Sequence, residues 1–196
     1  MKDNLTELVF ILDKSGSMHG LEGDTIGGFN SMLDKQKAVP GDALVTTALF
    51  SDEYELLHDR TAIQGVKPLT AREYCVGGCT ALLDAIGRTI DKIERAHKNT
   101  DEAERPGHTV FVITTDGLEN ASREYGRNRI KQLVSQKQEK DGWEFLFLGA
   151  NMDAIAAAAD IGIQATHAAQ FVCDAVGTRT HYNSLNDALE SLRCSA

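Results

Sequence analysis

Oxygen-bearing side chains with the spacing of a cation site follow an apolar run near the start of the sequence. The run, Leu8 to Leu12, is rich in Val, Ile and Phe, which is typical of a strand buried on both faces of a parallel sheet. It ends at Asp13, and Ser15 and Ser17 follow at alternate positions of the loop that leaves the strand. Hard cations such as Mg²⁺ prefer oxygen ligands and keep part of their water shell. One carboxylate and two hydroxyl groups on this loop therefore predict three ligands for such an ion.

Two later stretches place further oxygen atoms where they could complete the same site. Thr80 follows a Gly-Gly-Cys sequence and precedes a helical pattern, so its hydroxyl group is expected at a helix start. Asp116 follows a second apolar run, which begins at Val110 and is also typical of a buried strand. In an open α/β sheet the loops at the carboxyl ends of the strands form the ligand crevice, and we expect the three segments to meet there.

Together these segments resemble the von Willebrand factor A (vWA) domain family, of the bacterial intracellular type, and its metal-ion-dependent adhesion site (MIDAS). The family pattern is Asp-x-Ser-x-Ser, then a distant Thr, then a distant Asp after a later strand. All five positions are matched in order by Asp13, Ser15, Ser17, Thr80 and Asp116. The resemblance covers essentially the whole chain. It implies one vWA-like domain over residues 1–196 that binds Mg²⁺ or Mn²⁺ through these five residues.

The resemblance also implies a metal-dependent protein-interaction module that is not an enzyme. In the family some of the five side chains act through water, and one coordination position stays open for a carboxylate of the partner. Two carboxylates, Asp13 and Asp116, would roughly neutralise a divalent cation and leave it a strong Lewis acid for the partner's Asp or Glu. Intracellular bacterial members often work beside chaperone-type ATPases, metal-insertion machinery or stress systems, and nothing in the sequence chooses among these partners.

An enzyme is the main alternative function, either phosphatase-like or another metal-dependent hydrolase that uses Asp13. Aspartyl-phosphate phosphatases need a second Asp two residues after the first, and Ser15 occupies that position. The chain has no Gly-x-Ser-x-Gly nucleophile elbow, dinucleotide fingerprint or Walker-type phosphate loop. His19 could serve as a base, although a loop histidine without a catalytic role is the simpler interpretation. Roles as helix caps or turn formers would explain any one of the five residues, but not the ordered set.

Composition and charge narrow the classes of partner and location. The 196 residues are 42% hydrophobic and 25% charged, which is ordinary for a globular domain, and the formal net charge is −9. This charge disfavours nucleic acid and anionic membranes as partners, and no apolar run approaches the roughly 20 residues that span a bilayer. The start of the chain lacks the basic flank and apolar core of a signal peptide, so we expect a cytoplasmic location.

The four cysteines, Cys75, Cys79, Cys173 and Cys194, are expected to be free thiols in a cytosolic chain. Cys75 and Cys79 bracket the approach to Thr80 in a Cys-x-x-x-Cys arrangement. A zinc site would need a second, closely spaced pair, which the sequence lacks. A redox-sensitive pair beside the metal loop is an alternative, but two small buried residues are the simpler interpretation.

Strand and helix patterns alternate along the chain, which predicts a mostly parallel sheet with helices on both faces. The predicted strands are 8–12, 43–50, 54–63, 109–115, 143–148 and 168–172, and the predicted helices are 21–37, 80–96, 122–140, 153–161 and 177–192. The third strand follows the second with almost no loop, so it is expected to be an antiparallel edge strand. Ser122 is the predicted N-cap of the third helix. The resemblance adds the strand order 3-2-1-4-5-6, that is, a doubly wound α/β fold with a six-stranded sheet.

Overall fold

A six-stranded sheet organises the computed structural model, which describes residues 1–150, 153–171, 186 and 189–193. The strands are β1 (Lys2–Asp13), β2 (Asp42–Phe50), β3 (Tyr54–Ala62), β4 (Pro106–Thr115), β5 (Glu144–Ala150) and β6 (Ala168–Phe171). Their order is β3-β2-β1-β4-β5-β6, and each neighbouring pair is parallel except β2 with β3. The predicted strand order and antiparallel edge strand are confirmed.

Helices connect the strands, as the alternating pattern predicts. They are α1 (Glu22–Ala38), α2 (Leu82–Lys98), α3 (Arg127–Asp141) and α4 (Ala154–Asp160). Residues 186 and 189–193 are also helical, whereas most of the predicted helix over residues 177–192 lies outside the described residues. No helix among the described residues is long and apolar enough to cross a membrane.

The central strand β1 is buried on both faces, which explains its continuous apolar run. Leu8, Phe10 and Leu12 belong to a cluster that includes side chains of α1, and Phe10 meets Phe29 edge to face at 5.3 Å between ring centroids. Val9 and Ile11 point to the other face and belong to the cluster that contains α2 and α3 side chains. Each buried side chain of this size contributes about 1.5–3 kcal/mol, so the two clusters fix the position of β1 and of the loop that follows it.

The prediction that Ser122 caps the third helix is wrong. Helix α3 begins at Arg127. Its N-cap residue is Gly126, which has no side chain that could form a capping hydrogen bond. The Ser122 hydroxyl instead accepts a hydrogen bond from the backbone N–H of Asp84 at 3.0 Å, in the first turn of α2. A free N–H at the start of a helix needs such a partner, and Ser122 supplies it across the tertiary structure.

The prediction that Cys75 and Cys79 are small buried residues is also wrong. Both are exposed free thiols in the irregular segment that precedes α2. The large buried side chain next to Cys75 is Tyr74, whose hydroxyl group donates a hydrogen bond to the backbone carbonyl of Asp13. One large aromatic side chain therefore anchors the segment and leaves the thiols at the surface, while Cys173 and Cys194 lie outside the described residues.

Candidate metal centre

The carboxyl ends of β1, β2 and β4 bring the three predicted segments together. Leu12 pairs with Thr114 across β1 and β4, so Asp13 and Asp116 leave neighbouring strands at the same edge of the sheet. The segment that carries Thr80 reaches this edge because the N–H of Ala81 donates to the carbonyl of Ser51, directly after β2, at 2.9 Å. The strand order therefore places all three loops side by side.

The Asp13 carboxylate is fully buried and held by two hydrogen bonds. Its Oδ1 accepts from the backbone N–H of Ser15 at 2.7 Å, and its Oδ2 accepts from the hydroxyl group of Thr115 at 2.6 Å. Thr115 is the last residue of β4. These two hydrogen bonds orient both carboxylate oxygens without the help of an ion.

A line of oxygen atoms runs from this buried carboxylate to the surface. The hydroxyl oxygens of Ser15 and Ser17 are 3.1 Å apart, and the Ser17 hydroxyl donates to Asp116 Oδ1 at 2.6 Å. Ser15 is buried, Asp116 is half-buried and Ser17 is exposed. The oxygen cluster is therefore open to solvent on the side of Ser17 and Asp116.

Thr80 belongs to the same cluster of oxygen atoms, as the surroundings of Gly117 indicate. A Cβ atom built on Gly117 would lie 2.8 Å from Ser17 Oγ and 2.9 Å from Thr80 Oγ1, so both hydroxyl oxygens face one small space beside the Gly117 backbone. Thr80 is itself buried. The five predicted side chains thus lie in one cluster, and a small ion could occupy space that a larger residue at position 117 would fill.

Among the described residues, no cationic side chain compensates the charge of the two carboxylates. Burial raises the pKa of Asp13 above its ordinary value, against the hydrogen bonds from Thr115 and Ser15, and repulsion from Asp116 adds to the rise. Burial likewise raises the pKa of Asp116, against the hydrogen bond from Ser17. Within the described ranges neither carboxylate forms an ion pair with Lys, Arg or His. A divalent cation would offset this repulsion and desolvation.

The donor set fits a hard ion. The described residues contain no group of three or more His, Cys, Asp or Glu that could hold a metal, so a site at this edge depends on the hydroxyl oxygens beside its two carboxylates. Oxygen-only coordination suits Mg²⁺ and Mn²⁺, whereas sites built of imidazole or thiolate ligands suit zinc.

The first loop of the cluster is fixed by the Gly-Gly segment before Thr80. The N–H of Gly77 donates to the carbonyl of Lys14 at 2.8 Å, and the N–H of Gly16 donates to the carbonyl of Gly78 at 3.0 Å. Gly78 has a φ of +78°, and a Cβ atom there would lie only 1.9 Å from an oxygen of Asp52. Position 78 therefore favours glycine for its backbone conformation, and a Cβ atom there would also force the Asp52 side chain to move.

The loop after Asp116 holds Thr80 and the start of α2. Asn120 Oδ1 accepts from the Thr80 N–H at 2.9 Å, and the Asn120 N–H donates back to the Thr80 carbonyl at 3.0 Å. Glu119 accepts from the N–H of Leu83, in the first turn of α2, at 2.9 Å. Two of the three segments that form the cluster are therefore tied directly to each other.

Asp84 binds the end of this loop through hydrogen bonds. Its carboxylate accepts hydrogen bonds from the backbone N–H groups of Arg123, Glu124 and Tyr125 at 2.9, 2.9 and 2.8 Å. Burial acts to raise the pKa of Asp84, but these three bonds, together with the positive charge of Arg88, hold the pKa below its ordinary value of 3.8. The charged carboxylate thus stabilises the loop that begins at Asp116.

Asp84→Asn should destabilise the protein by about 1–3 kcal/mol at pH 7, because an amide cannot accept all three N–H bonds as well as a carboxylate. The contribution of Asp84 is present above pH 3.8 and is lost as pH falls through its lower folded-state pKa, so the difference from the parent should shrink in acid. Urea denaturation between pH 3 and 7 measures this. Asp91→Asn is a matched control on the same helix, because within the described part of the chain Asp91 accepts only from the Tyr125 hydroxyl. Equal stability of Asp84→Asn and the parent at pH 7 would contradict the assignment.

Comparison with known proteins identifies the fold. No family model matches the chain, and no curated protein matches it. The vWF domain of the type V pili tip protein Mfa5 from Porphyromonas gingivalis is 10% identical with a TM-score of 0.66, over 94% of this chain and 94% of that one. The protein BatB from Bacteroides thetaiotaomicron is 12% identical with a TM-score of 0.60, over 95% and 98%. The chain has the von Willebrand factor A fold.

One similar vWA structure holds a metal. It is proximal thread matrix protein 1 from the mussel byssus with a zinc-occupied MIDAS motif, which is 15% identical to this chain with a TM-score of 0.62. The match covers 94% of this chain but 46% of that protein, so the chain spans about half the length of that structure. At these identities the likeness establishes the vWA fold alone.

Several residues support the candidate site of this vWA fold through contacts that the sequence did not predict. They are Tyr74, Asp84, Thr115, Glu119 and Asn120. A weak signal existed only for Thr115, because a hydroxyl residue ends the strand immediately before Asp116. The other four form hydrogen bonds to residues that are distant in the sequence, and no local sequence pattern predicts such contacts.

Proposed function

We propose that this chain is a metal-dependent protein-interaction module that binds Mg²⁺ or Mn²⁺ through Asp13, Ser15, Ser17, Thr80 and Asp116. The proposal rests above all on two desolvated carboxylates that have no cationic partner among the described residues and lie beside three hydroxyl groups. A cation is the simplest compensation for such a pair. The zinc-occupied MIDAS of a protein with the same fold supports the same interpretation.

The side chains have different roles in this proposal. Asp13 and Asp116 supply the negative charge, and the three hydroxyl groups add neutral oxygens. Once bound, the ion supplies a Lewis acid for an anionic group of the partner. The partner's Asp or Glu would approach from the side of Ser17, which is exposed.

The rim of the site is formed by exposed residues of the three loops. The loops expected to form it are residues 18–19, 77–78 and 117–120. Their exposed residues are His19, Gly77, Gly78, Leu118 and Asn120, whereas Met18 and Gly117 are buried, so Met18 is wrong as a rim residue. The formal charge of −9 makes long-range attraction to another acidic surface poor, so we propose that the cation recruits the partner's carboxylate locally. A chaperone-type ATPase or a stress-system protein as that partner, and a cytoplasmic location, stay predictions from the resemblance and the sequence.

A hydrolase that uses Asp13 is the weaker proposal. Both oxygens of the Asp13 carboxylate accept hydrogen bonds and the side chain is fully buried, so it is poorly placed to attack a substrate. Ser15 stands where a phosphatase would need a second carboxylate. We therefore expect no turnover of phosphoester, ester or nucleotide substrates. Turnover that disappears in Asp13→Asn would support the hydrolase instead.

Manganese binding tests the interaction module directly. We expect the protein to bind one Mn²⁺ and to enhance the water-proton relaxation rate, because a coordination position open to a partner is open to water. Acetate should lower this enhancement by taking that position, whereas acetamide, its neutral analogue, should not. Asp116→Ala should abolish Mn²⁺ binding, and Asp101→Ala, at an exposed position away from the cluster, should not. Absence of Mn²⁺ binding, or bound Mn²⁺ that acetate does not affect, would refute the proposal.

A further inference from the structure

Two exposed thiols bracket the segment that supports the first loop of the metal centre. Cys75 and Cys79 are both free and exposed, and only Val76, Gly77 and Gly78 separate them. Gly77 and Gly78 each form one backbone hydrogen bond with the loop that carries Ser15 and Ser17. Any covalent change that links the thiols therefore acts on the segment that positions two of the proposed ligands.

We propose that Cys75 and Cys79 form a reversible disulfide that weakens metal binding, an inference that rests on the proposed metal site. With a small-molecule disulfide as oxidant, one thiolate attacks a sulfur of the oxidant and releases one thiol. The second cysteine thiolate then displaces the other half as a second thiol and forms the intramolecular bond. The protein loses two electrons and two protons, which leave with the two thiols, and a dithiol reductant reverses both steps.

The present geometry explains why this bond would disturb the loop. The Cys75 sulfur lies 3.5 Å from the carbonyl of Ala71 and 3.7 Å from that of Arg72, so it must leave the preceding turn to reach Cys79. A disulfide holds its two Cα atoms about 4.4–6.8 Å apart, which fixes the backbone of the short ring between them. The two glycines allow the ring to close, but they are the residues that bond to Lys14 and Gly16.

The other end of the segment is also held by contacts with the rest of the protein. The N–H of Cys79 donates to Asp52 Oδ1 at 3.3 Å, and Asp52 also packs closely against the Gly78 backbone. Cys79 immediately precedes Thr80, which the loop after Asp116 holds in place. The strain of ring closure therefore falls on the Gly77–Gly78 contacts with the first loop.

Oxidised and reduced protein should differ in Mg²⁺ affinity by about tenfold, within the 5- to 150-fold range of coupling between two sites. A background with Cys173→Ser and Cys194→Ser keeps only the pair of interest. This protein is incubated with oxidised glutathione or with dithiothreitol, the disulfide is mapped by mass spectrometry of unreduced peptides, and Mg²⁺ binding is measured by calorimetry. We expect a Cys75–Cys79 link, weaker Mg²⁺ binding, and recovery on reduction.

Cys79→Ser in the same background is the matched control, and its Mg²⁺ affinity should not respond to oxidation. Failure to map a Cys75–Cys79 link, or a link with unchanged Mg²⁺ affinity, would overturn the inference. If the reduced protein binds no Mg²⁺, the proposed metal site itself fails and the effect of the disulfide on it fails too. The peptide map separates the two failures, because it reports the link without reference to metal.

Discussion

Asp13→Asn should make the metal-free protein at least as stable as the parent at pH 7 and should abolish stabilisation by Mg²⁺. Burial raises the pKa of Asp13 above its ordinary value of 3.8, so the charged form costs free energy in the folded state when no cation is bound. An amide removes that charge. Its oxygen can accept from the Ser15 N–H and its NH₂ group can donate to the Thr115 hydroxyl, in place of the present bonds.

The sign of the pH dependence follows from the raised pKa. Protonated Asp13 stabilises the fold below pH 3.8, and this contribution is lost as pH rises through the higher folded-state pKa. In the presence of chelator, the advantage of Asp13→Asn over the parent should therefore be small in acid and grow toward neutral pH. With Mg²⁺ at a hundredfold excess over Kd, the parent should instead gain about 2.7 kcal/mol and the variant nothing.

Urea denaturation with chelator and with Mg²⁺, from pH 4 to 8, measures both effects. Asp101→Asn is the control, because Asp101 is exposed and makes no side-chain cap at its short helical turn. It should keep the full response to Mg²⁺. If Mg²⁺ stabilises Asp13→Asn and the parent equally, Asp13 is not a ligand of the ion.

The features of the site that follow from strand ends could be predicted from the sequence. The apolar runs before Asp13 and Asp116 mark two buried strands, and parallel neighbours end at the same edge of the sheet. The order of the strands came from the resemblance to the vWA family and is confirmed. Local pattern and family order together were sufficient to place both carboxylates.

Contacts across loops could not be predicted, because no period in the sequence encodes them. Ser122 has the local pattern of a cap for α3 but caps α2 instead, since the loop folds back over the start of that helix. Asp84 resembles an ordinary polar residue of a helix, yet it accepts three N–H groups from residues about 40 positions away. The exposure of Cys75 and Cys79 likewise could not be predicted, because the buried side chain next to Cys75 is Tyr74 and its anchor is a contact with a distant strand.

Gly117→Ala should weaken Mg²⁺ binding by at least about tenfold, which corresponds to 1.4 kcal/mol, and should also destabilise the fold. The added Cβ atom would lie 2.8 Å from Ser17 Oγ and 2.9 Å from Thr80 Oγ1, closer than ordinary contacts allow. Thr80 is buried and bound through its backbone to Asn120, so it cannot easily move away. Overpacking of this kind costs about 1–3 kcal/mol, and the same methyl group occupies the space beside two proposed ligands.

Gly77→Ala is the matched control for this prediction. It makes the same change at the same edge of the sheet, but a Cβ atom on Gly77 meets nothing within 4 Å, and neither glycine has a positive φ. Calorimetric titration with Mg²⁺ and urea denaturation should therefore separate the two variants, with Gly77→Ala close to the parent. If Gly117→Ala binds Mg²⁺ as tightly as the parent, Ser17 and Thr80 cannot both be ligands of one ion, because their hydroxyl oxygens would have been pushed apart without effect. If both variants lose Mg²⁺ binding to the same extent, the loss comes from reduced backbone flexibility of the loops. The space beside Gly117 would then not explain it.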